Sequence, residues 1–311
     1  MIKKESIRDI YGKELVKLAK NNSNIIVLEA DLSTSTKTNY FEEEIPNRFF
    51  EMGIAEANMV SVAAGLALNG FIPFVNTFSV FLTGRAYDQI RQGIAIPKLN
   101  VKLIGSSCGL SNFADGATHQ SIEDIAIMRA LPNMVVLVPV DSYELVKLLY
   151  FSINYNGPVY IRVTRSLVPI ITEENDPFSL GKMNVIAEGD DISIFACGVM
   201  VEKALEARNL LLRDNISMKV INVSTIKPID PNEVKKHITK KKYIITAEEH
   251  SIIGGLGSAI LEALEDEPII LRRIGINDIF GQSASNYDEL MNFYNLSAKK
   301  IVNCARKFFQ K

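Results

Sequence analysis

The sequence predicts an α/β protein of two domains, each built on a mostly parallel sheet with helices on both faces. Apolar runs of strand length alternate with segments of helical periodicity along most of the chain. The alternation fades over residues 171–190, where Pro177 and Gly181 lie among acidic residues, and then restarts. A chain of 311 residues also has about the length of two ordinary domains. We therefore expect a first domain over 1–170, a linker over 171–190 and a second domain over 191–311.

In the first domain, the first helix is expected to begin after Ser6, because Ser6 and Asp9 have a spacing like that of a capping box. Asp141 and Glu144 have the same relationship before a later helix. The apolar runs between helices are continuous, which is typical of buried parallel strands. Strands are expected at 25–28, 71–75, 101–104, 135–138 and 159–163, with further helices at 84–96, 121–131 and 142–153.

The second domain repeats the alternation on a smaller scale. Strands are expected at 192–196, 219–223, 243–246 and 269–274, and helices at 200–213, 231–240, 256–265 and from Ser297 onward. The glycines of 253–259 do not have the spacing of a dinucleotide-binding fingerprint, so we interpret this stretch as a tight turn into a helix. His250, a lone histidine just before it, is expected to be structural.

Composition and charge bear on partners and compartment. A net charge of −2 gives no basis for expecting nucleic acid or an anionic membrane as a partner. The first residues lack the apolar region of a secretory signal, and polar residues interrupt the most apolar stretch, so we expect a cytoplasmic protein. The three cysteines Cys108, Cys197 and Cys304 are far apart, which favours reduced thiols over a disulfide framework or a zinc site.

The stretch from Phe49 to Gly70 contains the clearest candidate for a functional site. From Ile54 it has the pattern of a helix that is apolar on nearly all sides, which predicts a buried helix. Many of its residues are small, so another helix or subunit can approach closely. Glu56 falls in the first turn, where the helix dipole favours a negative charge while burial disfavours one. A carboxyl group under these opposing influences is a functional-site candidate.

Four segments of the first domain resemble the pyrimidine-binding part of thiamine diphosphate enzymes. They are Gly53-Ile54-Ala55-Glu56, the aromatic pair Phe78 and Phe81, the stretch 115–124 (Asp-Gly-Ala-Thr-His-Gln-Ser-Ile-Glu-Asp) and the stretch 157–162 (Gly-Pro-Val-Tyr-Ile-Arg). In these segments the chain is similar to transketolases and 1-deoxyxylulose-5-phosphate synthases. The resemblance implies a pyrimidine-binding thiamine diphosphate domain over 1–170, a transketolase C-terminal-like domain over 191–311, and a transferase of the pentose phosphate pathway.

The resemblance also implies roles for residues around the cofactor. Glu56 corresponds to the catalytic glutamate that hydrogen-bonds the pyrimidine ring nitrogen and so promotes activation of the cofactor. Ile54, Phe78 and Phe81 correspond to residues of the cofactor pocket, where aromatic rings stack on the pyrimidine. His119 corresponds to a catalytic histidine that contacts sugar hydroxyls and assists proton transfer, a task suited to a group whose ordinary pKa lies near neutrality.

Substrate-binding roles follow from the same resemblance, with departures that leave the donor and acceptor sugars open. Asp115 corresponds to a residue that binds a donor hydroxyl, and His119 contributes there too. Arg8, Ser35 and Arg165 correspond to residues that contact the substrate phosphate, whose geometry suits an arginine fork. The departures are Ser107 in place of a sugar-binding histidine, Asn112-Phe113-Ala114 in place of a glycine-acidic pair, and Gly84 in place of a third aromatic.

A motif that the family uses for the diphosphate and its metal is absent from the sequence. Thiamine diphosphate enzymes hold both through a Gly-Asp-Gly segment followed by an asparagine, and the chain has no such pair of features. The resemblance therefore implies the C-terminal subunit of a split transketolase, which transfers a two-carbon ketol unit between phosphorylated sugars. It implies an N-terminal partner subunit that carries the motif and holds Mg²⁺ or Ca²⁺, no metal ligand in this chain, and a heterotetramer in which this chain pairs with its own copy.

Two other readings share parts of this pattern. The β subunit of a 2-oxo acid dehydrogenase has the same two-domain plan, but Thr77-Phe78 and the stretch 117–120 favour a transketolase. A non-catalytic transketolase-like partner protein would keep the fold without turnover, and the presence of both Glu56 and His119 argues against it.

Overall fold

The computed structural model describes residues 4–310. The strands are β1 (Lys4–Ser6), β2 (Ile25–Glu29), β3 (Phe49–Glu51), β4 (Ile72–Phe78), β5 (Lys102–Ser106), β6 (Val135–Leu137), β7 (Val159–Val163), β8 (Leu167–Pro169), β9 (Asn184–Ala187), β10 (Ile192–Ala196), β11 (Met218–Asn222), β12 (Thr225–Lys227), β13 (Tyr243–Ser251) and β14 (Ile270–Ile276). The helices are α1 (Ile7–Asn21), α2 (Ser33–Thr36), α3 (Asn39–Glu44), α4 (Glu56–Leu68), α5 (Ser79–Arg85), α6 (Tyr87–Gln89), α7 (Asp124–Ala130), α8 (Ser142–Asn154), α9 (Met200–Leu211), α10 (Pro231–Lys236), α11 (Leu256–Ala263), α12 (Tyr287–Phe293) and α13 (Ala298–Arg306). Short 3₁₀ turns lie at Pro46–Arg48 and Leu212–Asp214, and a π-helical turn lies at Ile90–Ala95.

The larger sheet has seven strands in the order β12-β6-β7-β5-β4-β2-β3. All of its pairs are parallel except β12 with β6. Strands β2, β4, β5, β6 and β7 are buried along their whole length, which is why the sequence shows them as mostly apolar runs. Because these strands run the same way, the loops after β2, β4, β5 and β7 meet at one edge of the sheet.

The smaller sheet has five strands in the order β14-β13-β10-β11-β9, and only β9 runs antiparallel to its neighbour. Strand β9 lies inside the range 171–190 that the sequence predicts as a linker. It joins the sheet because Val185 and Ile186 pack against the apolar cores beside it. Strands β1 and β8 form a separate antiparallel pair. The expected α/β class, with two mostly parallel sheets and helices packed on them, is confirmed.

Several local expectations are confirmed by hydrogen bonds at helix ends. The Ser6 side chain accepts from the backbone N–H of Asp9 at the start of α1, and Asp141 does the same for Glu144 at the start of α8. The strands predicted at 159–163 and 192–196 have the predicted bounds. Helix α12 was not predicted, because its seven residues are too few to show a clear helical periodicity.

The expectation of a helix buried on nearly all sides from Ile54 is wrong for the chain by itself. Helix α4 begins at Glu56, and Ile54 before it is 72% exposed. Met59, Val60 and Ala63 face the core, whereas the opposite side is open to solvent, with Leu68 72% exposed. This chain does not supply the burial that the apolar pattern predicts.

Two helices of the first domain begin several residues from their predicted starts, and the helix expected at 231–240 ends at Lys236. The helix expected at 121–131 begins at Asp124, because Ser121 pairs with Gly109 in an isolated β-bridge. The helix expected at 84–96 is a longer helical region that starts at Ser79 and ends in the π-helical turn. No helix within residues 4–310 is both long and apolar enough to cross a membrane.

Candidate active site

The candidate site lies at the edge where the loops after β2, β4 and β5 meet the start of α4. A cavity of about 300 Å³ opens there, and the side chains that shape it include Asp31, Ile54, Glu56, Phe81, Arg85 and His119. Ligands of open parallel sheets bind at the carboxyl ends of the strands, so the position fits a binding site. Ile54, Glu56, Phe81 and His119 were predicted as site residues, and the structure brings these four together.

Glu56 is buried in the first turn of α4, with 4% of its surface exposed. Its Oε1 accepts a hydrogen bond from the Arg85 guanidinium at 2.8 Å. Arg85 is half exposed at the end of α5 and closes one side of the cavity. The buried carboxyl group thus has its ion-pair partner at the mouth of the cavity.

Two aromatic rings form one wall of the site. Phe78 ends β4 and Phe81 follows one turn later in α5, which places their ring centroids 5.9 Å apart with 24° between the ring planes. His119 meets the Phe81 ring edge-on at 5.2 Å and the Phe78 ring at 6.3 Å. The Arg85 guanidinium lies over the Phe81 ring, with its central carbon 4.1 Å from the ring centroid. The wall is apolar, with a carboxylate and an imidazole beside it.

His119 and Asp115 belong to the long connection between β5 and α7. The Nδ1 atom of His119 lies 2.9 Å from the Thr118 hydroxyl, a hydrogen bond that orients the ring. His119 is partly exposed toward the cavity, while Asp115 is exposed and does not line it. The structure thus places the two predicted residues on one loop but only His119 beside Glu56.

Arg8, Ser35 and Arg165 form a second cluster. A guanidinium nitrogen of Arg8 donates to the carbonyl oxygen of Ser35, and Arg165 donates to the Asn112 side chain at 2.8 Å. Burial and the neighbouring charge of Arg165 lower the pKa of Arg8 to about 10. The Nε atom of Arg8 is buried and has no hydrogen-bond partner among the described residues. Two arginines that repel each other, with an unpaired buried donor between them, are suited to an anion such as a phosphate.

Two carboxylates near the site, Glu29 and Glu51, were not predicted from the sequence. Glu29, at the end of β2, is fully buried and accepts hydrogen bonds from Thr36 at 2.7 Å and Thr38 at 2.6 Å. Burial raises its pKa to about 8, against the effect of these hydrogen bonds. Glu51 accepts from the N–H groups of Asp31 and Gly53 and so joins two loops of the site. An acidic residue directly after an apolar strand, as Glu29 is after 25–28, is the signal that points to this position.

Neither a reactive thiol nor a cluster of metal ligands is found beside these residues in the described part of the chain. Cys108, which begins the connection to His119, is buried, and burial raises the pKa of its thiol above its usual range. The thiol is therefore a weak nucleophile. Within residues 4–310 no three or more His, Cys, Asp or Glu side chains cluster as metal ligands do. The apolar wall, the buried carboxyl group and the orphaned arginine donor fit an aromatic cofactor ring and a substrate phosphate.

Comparisons with known proteins agree with this geometry. Residues 3–170 match the family model of the transketolase pyrimidine binding domain, and residues 181–301 match that of the transketolase C-terminal domain. The chain is 45% identical over 302 residues to a putative transketolase C-terminal section of Methanocaldococcus jannaschii, covering 96% of this chain and 94% of that protein. It is 42% identical over 302 residues to a 6-deoxy-6-sulfo-D-fructose transketolase subunit of a Clostridium species, covering 97% of this chain and 94% of that subunit.

A solved structure gives the same result in three dimensions. A split-gene transketolase described as an inactive beta4 tetramer superposes on this chain with a TM-score of 0.88 at 43% identity, covering 97% of each chain. The β subunit of a 2-oxo acid dehydrogenase and a non-catalytic relative are not favoured by these matches. The chain belongs to the transketolase family, as a protein that corresponds to the C-terminal subunit of a split transketolase.

Proposed function

We propose that this chain is the C-terminal subunit of a thiamine diphosphate-dependent transketolase, which transfers a two-carbon ketol unit between phosphorylated sugars. In this proposal residues 1–170 bind the pyrimidine of the cofactor, and the protein acts in the cytoplasm. One observation carries the proposal: the buried carboxyl group of Glu56 opens onto the Phe78–Phe81 wall, with His119 at the far side of the same cavity.

Glu56 and the aromatic wall are assigned to the cofactor. When bound, thiamine diphosphate supplies the nucleophilic carbon that takes up the two-carbon unit. Phe78 and Phe81 bind the pyrimidine by stacking, and Ile54 covers it from the helix side. Glu56 would hold a proton at the pyrimidine ring nitrogen through a charge-assisted hydrogen bond.

His119, Asp115 and the arginine cluster are assigned to the sugar. His119 contacts sugar hydroxyls and moves a proton to or from them. Asp115 lies four residues before it on the same loop and binds a donor hydroxyl. Arg8 and Arg165 bind the terminal phosphate, with Ser35 beside them, and the unpaired Nε of Arg8 is the donor that a phosphate oxygen would satisfy.

The remaining half of the cofactor is assigned to a separate N-terminal subunit. That subunit carries the Gly-Asp-Gly and asparagine features and holds the diphosphate and its Mg²⁺ or Ca²⁺, since a diphosphate needs a metal and donors to compensate for its desolvation. The exposed small and apolar side of α4 supports a close subunit contact. The related beta4 tetramer is described as inactive, which supports the view that this type of chain requires its partner. We propose a heterotetramer with two copies of each subunit.

The test compares the purified chain with the chain mixed with its candidate N-terminal subunit. Ketol transfer is assayed with a panel of phosphorylated donors and acceptors, and thiamine diphosphate affinity is measured by calorimetry with Mg²⁺ present. We expect no turnover and weak cofactor binding by the chain alone, with both gained on mixing. Full activity of the chain alone would overturn the split-enzyme proposal.

A further inference from the structure

The loop that carries Asp115 and His119 is attached to the second sheet at both of its ends. We call residues 107–123 the site loop. Near its start, the N–H of Leu110 donates to Glu249 Oε1 at 2.8 Å. Near its end, the carbonyl oxygen of Ile122 accepts from the N–H of Ser251 at 2.7 Å. Glu249 and Ser251 both belong to β13, so the second sheet fixes where the site loop begins and ends.

The middle of the site loop is attached to a second element of the same half. We call residues 281–284, which follow β14, the backing segment. The Gln120 side-chain amide donates to the carbonyl oxygen of Gln282 at 3.0 Å, and the N–H of Ala284 donates to the carbonyl oxygen of Phe113 at 2.9 Å. These hydrogen bonds lie on both sides of Asp115 and His119. The residues expected to bind the sugar therefore occupy the part of the loop between two contacts with the backing segment.

The fit between the two segments is close. A Cβ atom added at Gly281 would lie 1.7 Å from Gln120 Oε1, and one added at Gly116 would lie 2.5 Å from the hydroxyl of Ser283. Gly116 also has a φ of +77°, a conformation that other residues rarely adopt. Glycine at these two positions is what allows the backing segment to lie directly against the site loop.

Gln120 is the side chain at the centre of this contact. It is 3% exposed, and its Oε1 has no hydrogen-bond partner among residues 4–310. Burying an amide oxygen without a partner is unfavourable, so solubility or simple packing does not explain a glutamine here. The N–H groups of His119 and Gln120 both donate to the carbonyl oxygen of Gly116. Fixing the Gln120 side chain therefore also fixes the turn from which the His119 ring projects.

We propose that Gln120 is a positioning residue for His119, and that the second half of the chain holds the site loop in its working conformation through the backing segment. Gln120 does not line the cavity that Glu56 lines. It acts through the backbone of the preceding residue, His119. The kinetic part of this inference rests on the proposed function. The structural part, that the backing segment orders the site loop, does not depend on it.

The structural part is tested by amide hydrogen exchange on the purified full chain. Gln120→Ala removes the side-chain hydrogen bond to Gln282 and a longer one, at 3.4 Å, to the Asn112 carbonyl oxygen within the loop. Gly281→Ala disturbs the contact from the side of the backing segment alone, because it inserts a methyl group where Gln120 Oε1 lies. Gln310→Ala, at an exposed glutamine far from the loop, is the matched control. We expect faster exchange over 112–120 in the first two variants and unchanged exchange in the control. Wild-type exchange over 112–120 in Gln120→Ala would overturn the inference.

The kinetic part is tested by a double-mutant cycle in the complex with the N-terminal subunit. A misplaced catalytic group of this kind costs up to about 100-fold, so Gln120→Ala is expected to lower kcat/KM for the ketol donor by at least about tenfold. In a His119→Ala background the same change is expected to cost less than about twofold, because the group it positions is gone. Thiamine diphosphate affinity should stay within about twofold, a readout that general damage to the fold would change.

The outcomes separate the two proposals. Equal losses from Gln120→Ala in both backgrounds would show that Gln120 does not act through His119. If His119→Ala itself kept full ketol transfer, the proposed role of His119 would be wrong, and the hydrogen-exchange result would still decide whether the backing segment orders the loop.

Discussion

The guanidinium of Arg85 donates a hydrogen bond to the Glu56 carboxylate at 2.8 Å while it lies 4.1 Å from the centroid of the Phe81 ring. One cation thus occupies both features that we assign to the pyrimidine of the cofactor. Glu56 is buried and Arg85 is half exposed. Solvent screens the exposed side of this ion pair. In the proposed function, Glu56 would exchange Arg85 for the pyrimidine nitrogen when the cofactor binds.

Substitutions of Glu56 and Arg85 are expected to lower ketol transfer to very different extents. Glu56→Gln keeps the shape of the side chain but cannot take up the pyrimidine proton, so we expect ketol transfer by the complex to fall by at least about 100-fold. Arg85→Gln should cost less than about tenfold, since in the proposed function the cofactor displaces Arg85 from Glu56. Steady-state rates at saturating thiamine diphosphate give the comparison, with the exposed Glu42→Gln as control. Near-normal activity of Glu56→Gln would remove this residue from the mechanism.

His119→Ala is expected to impair the sugar step and to leave the cofactor in place. The imidazole lies across the cavity from Glu56 and contacts the aromatic wall only at its edge. We expect kcat/KM for the donor to fall by about 100-fold or more, while the calorimetric affinity of the complex for thiamine diphosphate changes by less than about threefold. Loss of cofactor affinity with normal sugar kinetics would show that His119 belongs to the pyrimidine site.

Arg165→Ala should discriminate between donors with and without a phosphate. Arg165 and Arg8 repel each other, and a phosphate relieves that repulsion by binding both. We expect KM for phosphorylated donors to rise by at least about tenfold, since a hydrogen bond to a charged group contributes about 1.5–3 kcal/mol. KM for hydroxypyruvate, which has no phosphate, should change little. Arg213→Ala, at an exposed arginine, serves as control, and equal losses for both donor classes would indicate a structural role for Arg165.

Glu29 makes the stability of the chain depend on pH. Burial raises its pKa from 4.5 to about 8 in the folded state. Between these values the folded chain keeps a proton that the unfolded chain releases, so stability falls as pH rises, by at most about 1.4 kcal/mol per pH unit. Glu29→Gln removes this titration. Urea midpoints measured from pH 5 to 9 should show wild type losing stability relative to the variant up to about pH 8 and no further; parallel curves would contradict the prediction.

The exposed side of α4 is expected to be an assembly surface. Val62 is 37% exposed in the middle of that side and has no role in the core of the chain. Val62→Glu should leave the unfolding transition of the purified chain nearly unchanged but prevent formation of the tetramer, because a buried unpaired charge is costly at an interface. Light scattering of the chain, alone and mixed with its partner, measures this. Leu210→Glu, at a similarly exposed position in the second half, is the control, and unimpaired assembly of Val62→Glu would place the interface elsewhere.

Much of the fold can be predicted from the sequence, because buried parallel strands appear in it as short, mostly apolar runs. Strands β7 and β10 are buried along their whole length and are apolar except at Arg162 and Ser193, and even their bounds are predictable. Strands β9 and β12 escape prediction for the opposite reason. They are short edge strands whose pairing depends on distant partners, β11 and β6, and no local periodicity records such a partner.

The residues of the candidate site also fall into those that the sequence predicts and those that it does not. Glu56, Phe78, Phe81 and His119 are recognisable because they lie in short motifs at helix starts and strand ends. Arg85 is not, since its importance comes from Glu56, 29 positions away. Glu29 follows an apolar strand, a signal that points to its position, but its full burial is visible only in the structure. The same holds for the contact between Gln120 and the backing segment, which joins residues 162 positions apart. Whether the predicted residues carry out the proposed roles is decided by the experiments above.

Strand β12 has a consequence for any attempt to divide the protein. It comes from the second half of the chain but completes the edge of the first sheet, where it covers β6. A cut anywhere in 171–190 would therefore leave the first half with a bare edge of unpaired backbone groups, a surface on which other chains polymerise. Expression of the first half alone should yield aggregates unless residues 225–227 are supplied, for example as a fused or added peptide. The two halves are joined by this strand, so a gene fission at 171–190 would require the second half to return β12 to the edge of the first sheet.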